Sequence, residues 1–192
     1  SKVRGVTDET SQKIQAGIDR LLAKQKFSGA FGYWDRNSAV YGRFQPYAVD
    51  TLQKTLPYAS NKEQVIDAIN NGLEYLYRTS FDDQNTKLYA YGLLAKAGYE
   101  VTSRARYAID QELQVDTTKV STAVGISSKT LDDLTIAYWV SANLNDTKRL
   151  LQISYKAQFL LNQIELEKPI SQLAAVAWFS LNQTLCTSFP LY

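Results

Sequence analysis

The chain has 192 residues, 45% of them hydrophobic, which is enough for one domain with a buried core and too apolar for a disordered chain. Its 21 Lys and Arg against 19 Asp and Glu leave a net charge of +2, which gives no electrostatic basis for binding nucleic acid or an anionic membrane surface. Histidine is absent, so Ser-His and Cys-His nucleophilic pairs and histidine-containing metal sites cannot be assembled within the chain, and the single Cys186 permits no internal disulfide.

Helical periodicity dominates. Ile14, Ile18, Leu21 and Leu22 follow a helical stripe, preceded by Asp8 and Glu9 where the positive end of the helix dipole favours acids, and this first helix is expected to end near Gln25. Then comes KQKFSGAFGYWD, Lys24 to Asp35, which crowds Phe31, Tyr33 and Trp34 among glycines and small residues. Pro46 suits the first turn of a second helix carrying Val49, Leu52 and Leu56, and Pro57 stops it. Asn61 with Gln64 resembles a capping box for a third helix with Val65, Ile66, Ile69, Leu73 and Leu76 on its apolar side. Further helices are expected over Asn85 to Ala97 with Gly98 as the stop, Thr102 to Leu113, Thr130 to Asn143, Asp146 to Ile164, and Pro169 to Asn182. Val115 to Ser128, rich in Thr, Ser and Val, reads as a long connection. Nothing reads as a strand.

Apolar runs stay short, the longest being Leu173 to Phe179, so no segment reads as a bilayer span or a signal peptide. Methionine is absent even from position 1, which leads to the expectation that the chain is cut from a longer protein or processed, with any export signal outside it.

An internal repeat runs through this pattern. YAVDTLQK from Tyr47 and YAYGLLAK from Tyr89 align in register, with weaker echoes in IAYWVSAN from Ile136 and VAWFSLNQ from Val176. Ala48, Ala90, Ala137 and Ala177 mark the repeat at spacings of 42, 47 and 40 residues, a helical-hairpin period. Each marker lies in the more apolar helix of its pair. Gly92, Ala95, Ala142 and Ala175 permit close approach, while the partner helices from Asn61 and Asp146 are amphipathic. Apolar inner and amphipathic outer helices follow, either stacked into an open superhelix or closed into an α/α toroid; periodicity is the same for both.

Q-x-x-x-G-x-F-G-Y-W, from Gln25 to Trp34, resembles the turn of the α/α toroid superfamily that holds terpenoid cyclases, protein prenyltransferase β subunits and the thioester domains of the alpha-2-macroglobulin family. Over about forty residues from Ile14 the chain is most similar to the bacterial alpha-2-macroglobulins, and LLAKAGYEVT fits the hairpin ends of the same family. The motif residues are Gln25, Gly29, Phe31, Gly32, Tyr33 and Trp34. Ala30 departs from it, standing where a second glycine is usual, so that position needs no positive φ. The resemblance implies an all-α, α/α toroid fold of repeated hairpins, the whole chain being one toroid-like domain of a much larger protein. It also implies that the turn joins an outer to an inner helix with Phe31 and Trp34 buried beneath it and Gln25 bonded to nearby backbone. A stacking platform for a ligand is the alternative use of the aromatic residues.

The chemistries of that superfamily leave little trace in the residues. TLDD, Thr130 to Asp133, has Thr where an Asp-x-Asp-Asp acid needs its first Asp, and DDQNT from Asp82 ends in Thr86 where a magnesium-binding Asp-Asp-x-x-Asp needs its last. Both acidic pairs read as helix-start residues. The prenyltransferase zinc site needs a His that the chain lacks. The thioester motif of the macroglobulins is Cys-x-Glu-Gln, upstream of the matching segment; CTSF at Cys186 does not fit it. The resemblance therefore implies a non-enzymatic scaffold with no cofactor and no catalytic residue of its own, belonging to a protease-trapping parent with or without a thioester. Its partners would be the parent's other domains and, through the parent, target proteases, with no nucleic acid and no direct membrane contact. The implied location is the periplasm, the parent being a lipid-anchored protein of the inner membrane. The rival reading is a stand-alone α/α toroid enzyme of cyclase or prenyltransferase type, or an α-solenoid binding module.

Overall fold

A computed structural model describes residues 8–114 and 128–161, and every described element is helical: α1 (Asp8–Lys24), α2 (Phe44–Thr55), a 3-10 turn (Leu56–Tyr58), α3 (Lys62–Arg78), α4 (Gln84–Lys96), α5 (Thr102–Gln114), α6 (Ser128–Asn143) and α7 (Thr147–Leu161). The fold is all-α, as the periodicity predicts, and among the described residues the only extended pairings are two isolated bridges, Gln25 with Phe31 and Gly32 with Val40. No described helix is long and apolar enough to cross a membrane. The expected helix from Pro169 to Asn182, the marker Ala177, Ala175 and Cys186 lie outside the described residues.

Helix ends follow local chemistry. Asn61 caps α3, its side chain accepting from the Gln64 N–H at 3.2 Å. Gly98, at φ +84°, closes α4 with the Tyr99 N–H bonded to the Leu94 carbonyl and its own to Ala95, a Schellman ending. Asn145 repeats that ending after α6 at φ +53°, with the Asp146 N–H on the Ser141 carbonyl. Asn tolerates the left-handed conformation better than other non-glycine residues. Two expectations are corrected here. Ser128 belongs to α6 and not to the preceding connection, so Asp132 and Asp133 fall in the second turn of the helix and not at its start. Ile66 is exposed, because the buried stripe of α3 runs through Val65, Ala68, Ile69, Gly72, Leu73 and Leu76, and Ile66 lies one residue, about 100°, around from it.

The chain forms two compact units, residues 1–86 and 87–192. In the first, α1, α2 and α3 pack on one another around Ile18, Phe31, Val49, Leu52, Val65 and Leu76, all at 1% exposure or less. In the second, α5, α6 and α7 pack together, and Leu88, Ile109, Leu134, Ala137, Val140 and Ile153 form the centre of the core. The repeat markers Ala48, Ala90 and Ala137 are all buried. Gly92 lies against the Trp139 ring, which a Cβ there would strike.

Polar ties join the helices of the second unit. Lys156 of α7 donates to the Glu112 and Leu113 carbonyls at 2.8 and 2.9 Å, satisfying orphan acceptors at the end of α5. Burial pushes its ammonium pKa below the ordinary lysine value, with Glu112 opposing. Asp146 caps α7 by accepting from the Arg149 N–H, and its Oδ2 receives Arg106 Nε at 2.7 Å and Arg149 Nη1 at 3.0 Å. Arg149 meets Asp110 of α5 with two further bonds, at 2.9 and 2.6 Å.

Candidate functional site

The segment between α1 and α2 is the most densely bonded irregular stretch in the first unit. Two glutamines hold it. Gln25, at the end of α1, donates from Nε2 to the Gly29 carbonyl at 3.2 Å, as expected for that residue, and also to the Ala68 carbonyl of α3 at 2.7 Å, which ties the turn to a second helix. Gln45, at the second residue of α2 and 1% exposed, brackets Phe31: its Oε1 accepts from the Phe31 N–H at 2.7 Å and its Nε2 donates to the Phe31 carbonyl at 2.9 Å and the Tyr41 carbonyl at 3.0 Å. One buried amide thus satisfies both backbone groups of a buried residue, leaving neither unpaired.

Gly29 is where the motif demands glycine. Its φ is +87°, and a Cβ there would lie 2.0 Å from the Asn71 carbonyl oxygen of α3. Gly29→Ala therefore combines left-handed strain with a backbone clash, and is expected to cost about 2–4 kcal/mol in a denaturant melt; an unchanged midpoint would show that α3 moves away freely. Ala30 is fully buried with no positive φ, consistent with its departure from the glycine pattern.

Phe31 is 0% exposed, as expected, and its ring packs toward Gly72 of α3. Gly32 is buried, and its N–H returns to the Lys24 carbonyl at 3.0 Å. Trp34 is the correction: it is 77% exposed and not beneath the turn. After Gly32 the chain reverses through a tight local turn. Ser38 Oγ accepts from the Trp34 and Asp35 N–H groups, and the Asp35 carboxylate accepts from the Asn37 and Ser38 N–H groups at 2.8 Å each. This turn fixes the Trp34 backbone while directing its ring outward, and the burial expected of Trp34 is carried by Phe31 alone.

Tyr33 is 45% exposed and sits edge-on to three rings: Trp34 at 4.8 Å, Tyr41 at 5.7 Å and Phe44 at 6.3 Å between centroids. Lys24 locks the base of this cluster, donating from Nζ to the Tyr33 carbonyl at 2.8 Å and lying 5.8 Å from the Phe44 ring centre. The result is a rigid turn that presents an aromatic edge.

The six motif residues therefore separate into two groups. Gln25, Gly29, Phe31 and Gly32 build the bracket, and Tyr33 and Trp34 stand on its outer side. Sequence reasoning missed Gln45, Asp35, Ser38 and Lys24. The Asp-x-x-Ser spacing from Asp35 is a local turn signal, and Gln45 was visible only as a polar residue opening an apolar helix. Among the described residues neither acidic pair belongs to a cluster of three or more potential metal ligands. Asp83 accepts from the Thr86 N–H and hydroxyl at 3.0 and 2.7 Å, the helix-start role expected of it. Asp132, whose pKa is raised from its ordinary value by desolvation and by the neighbouring Asp133 charge, lies within α6. Comparison of the chain with protein-family models, with curated proteins and with solved structures finds no match in any of the three.

Proposed function

We propose that this chain is the thioester-domain scaffold of a bacterial alpha-2-macroglobulin-like, protease-trapping protein, an α/α toroid in which α2, α4 and α6 are inner helices and α3, α5 and α7 outer ones. The reading rests on one observation above the others. The motif glutamine, Gln25, bonds both the turn that follows it and the next outer helix, so the Gln-to-Phe turn works as a rigid connector from an outer to an inner helix. The burial of Ala48, Ala90 and Ala137, one in each apolar helix, supports the repeat on which the toroid depends. In this role the chain has no cofactor and no catalytic residue. It shelters or presents a reactive bond formed elsewhere in a larger periplasmic, lipid-anchored parent, whose bait region is cut by the protease that becomes trapped.

The test is the reading frame around the codons for Ser1 and Tyr192. The frame is expected to continue into a much larger polypeptide. A Cys-x-Glu-Gln motif upstream assigns the parent to the thioester-bearing members, and its absence from that larger protein assigns it to those without the bond. A frame that stops at these two residues would overturn the reading and leave a small stand-alone helical protein.

A further inference from the structure

Beside the aromatic edge runs a groove of about 520 Å³ between α1 and the turn. Gly17, Arg20, Leu21 and Lys24 line one wall, spaced i, i+3, i+4 and i+7 along a single face of α1, and Trp34 and Phe44 stand opposite. Three features of this groove are not accounted for by the core of the first unit. Trp34 is 77% exposed, although a ring of that size normally contributes to a core. Arg20 is exposed and has no hydrogen bond or ion pair among the described residues. Gly17 sits in the interior of α1, where glycine is less favourable than alanine, yet a Cβ there would meet nothing within 4 Å. No contact among the described residues calls for that glycine, and its bare backbone widens the groove.

The charge of the groove defines what fits. Arg20 and Lys24 are its cations. Its one acid, Asp35, is engaged by the Asn37 and Ser38 N–H groups. Lys24 gives one N–H to the Tyr33 carbonyl and keeps two donors. We infer that this groove is a docking site for an acidic peptide segment of another polypeptide, with one apolar side chain lodged over Gly17 between Leu21 and Trp34 and its neighbouring carboxylates meeting Arg20 and Lys24 further along α1. The segment's backbone approaches α1 where the side chain is missing. The inference stands on the geometry of the groove and is independent of the protease-trap reading.

The probe is the hexapeptide acetyl-Glu-Asp-Glu-Phe-Asp-Glu-amide, titrated into the 192-residue chain while the indole N–H signals are followed by NMR. A saturable shift is expected for the signal that disappears in Trp34→Phe. Gly17→Gln fills the groove with a good helix former and is expected to weaken binding about tenfold or more while keeping or raising the melting midpoint. Arg20→Glu is expected to weaken it comparably, and it carries the same decision should Gly17→Gln melt early. The same peptide with Ser for Phe, or with Lys for every acid, is expected to bind at least about tenfold more weakly. No saturable shift, equal affinity in Gly17→Gln, or equal binding of the basic peptide would overturn the proposal. So would binding to phosphatidylserine vesicles that Gly17→Gln leaves unchanged, which would make the aromatic edge a membrane-facing tip.

Discussion

Gln45→Leu is expected to destabilise the chain by roughly 2–6 kcal/mol. Leucine fills much of the same space but removes three hydrogen bonds and leaves the N–H and carbonyl of Phe31 buried without partners, at about 1–3 kcal/mol for each orphaned group. The loss should appear as a shifted midpoint in urea unfolding followed by circular dichroism. A change under about 1 kcal/mol would mean that water or another donor takes over the bracket, and that the turn is not held by Gln45.

Asp146→Asn is expected to cost roughly 2–4 kcal/mol at neutral pH, again in a denaturant melt. The substitution weakens the α7 cap and removes a buried carboxylate from between Arg106 and Arg149. The cost stays below that of fully breaking a buried pair because Arg149 keeps Asp110 and Arg106 is half exposed. Burial alone would raise the Asp146 pKa. The Arg149 N–H, the two guanidinium bonds and the Arg149 charge outweigh burial and hold it below the ordinary value of 3.8. A group whose folded pKa lies below its unfolded one stabilises the fold above the unfolded value and loses that contribution as the pH falls through the folded one. Wild type should therefore lose stability on acidification below about pH 4 more steeply than Asp146→Asn does. Parallel acid profiles for the two would show that the carboxylate is not held in its charged form by these arginines.

What could be read from the sequence was what is decided within a few residues. Asn61 and Gly98 mark helix ends because caps are local, and the repeat markers Ala48, Ala90 and Ala137 are buried as expected of small residues on the apolar faces of their helices. Trp34 went the other way. Whether an aromatic ring in a loop is covered depends on which helix passes over it, and α1 meets the turn through Lys24 and leaves Trp34 open. Gln45 and the Arg149–Asp110 pair join residues 14 and 39 apart, and nothing in either local stretch names the other partner. Ile66 shows the same limit at smaller scale, since one step around a helix turns a core position into a surface one. Within the motif, Gln25, Gly29 and Phe31 were legible because their roles follow from residue type: an amide to bridge carbonyls, a glycine for positive φ, and a ring to bury.

The proposal that the chain serves a protease trap is tested most directly by trapping with the full-length parent. The purified parent is incubated with a broad-specificity protease, and the activity left is measured on a small chromogenic peptide and on a large protein substrate. The account predicts that the protease, once the parent is cut, keeps its activity on the peptide and loses it on the protein, because the enclosed enzyme remains functional but shielded. Equal loss on both substrates, or no loss on either, would contradict it.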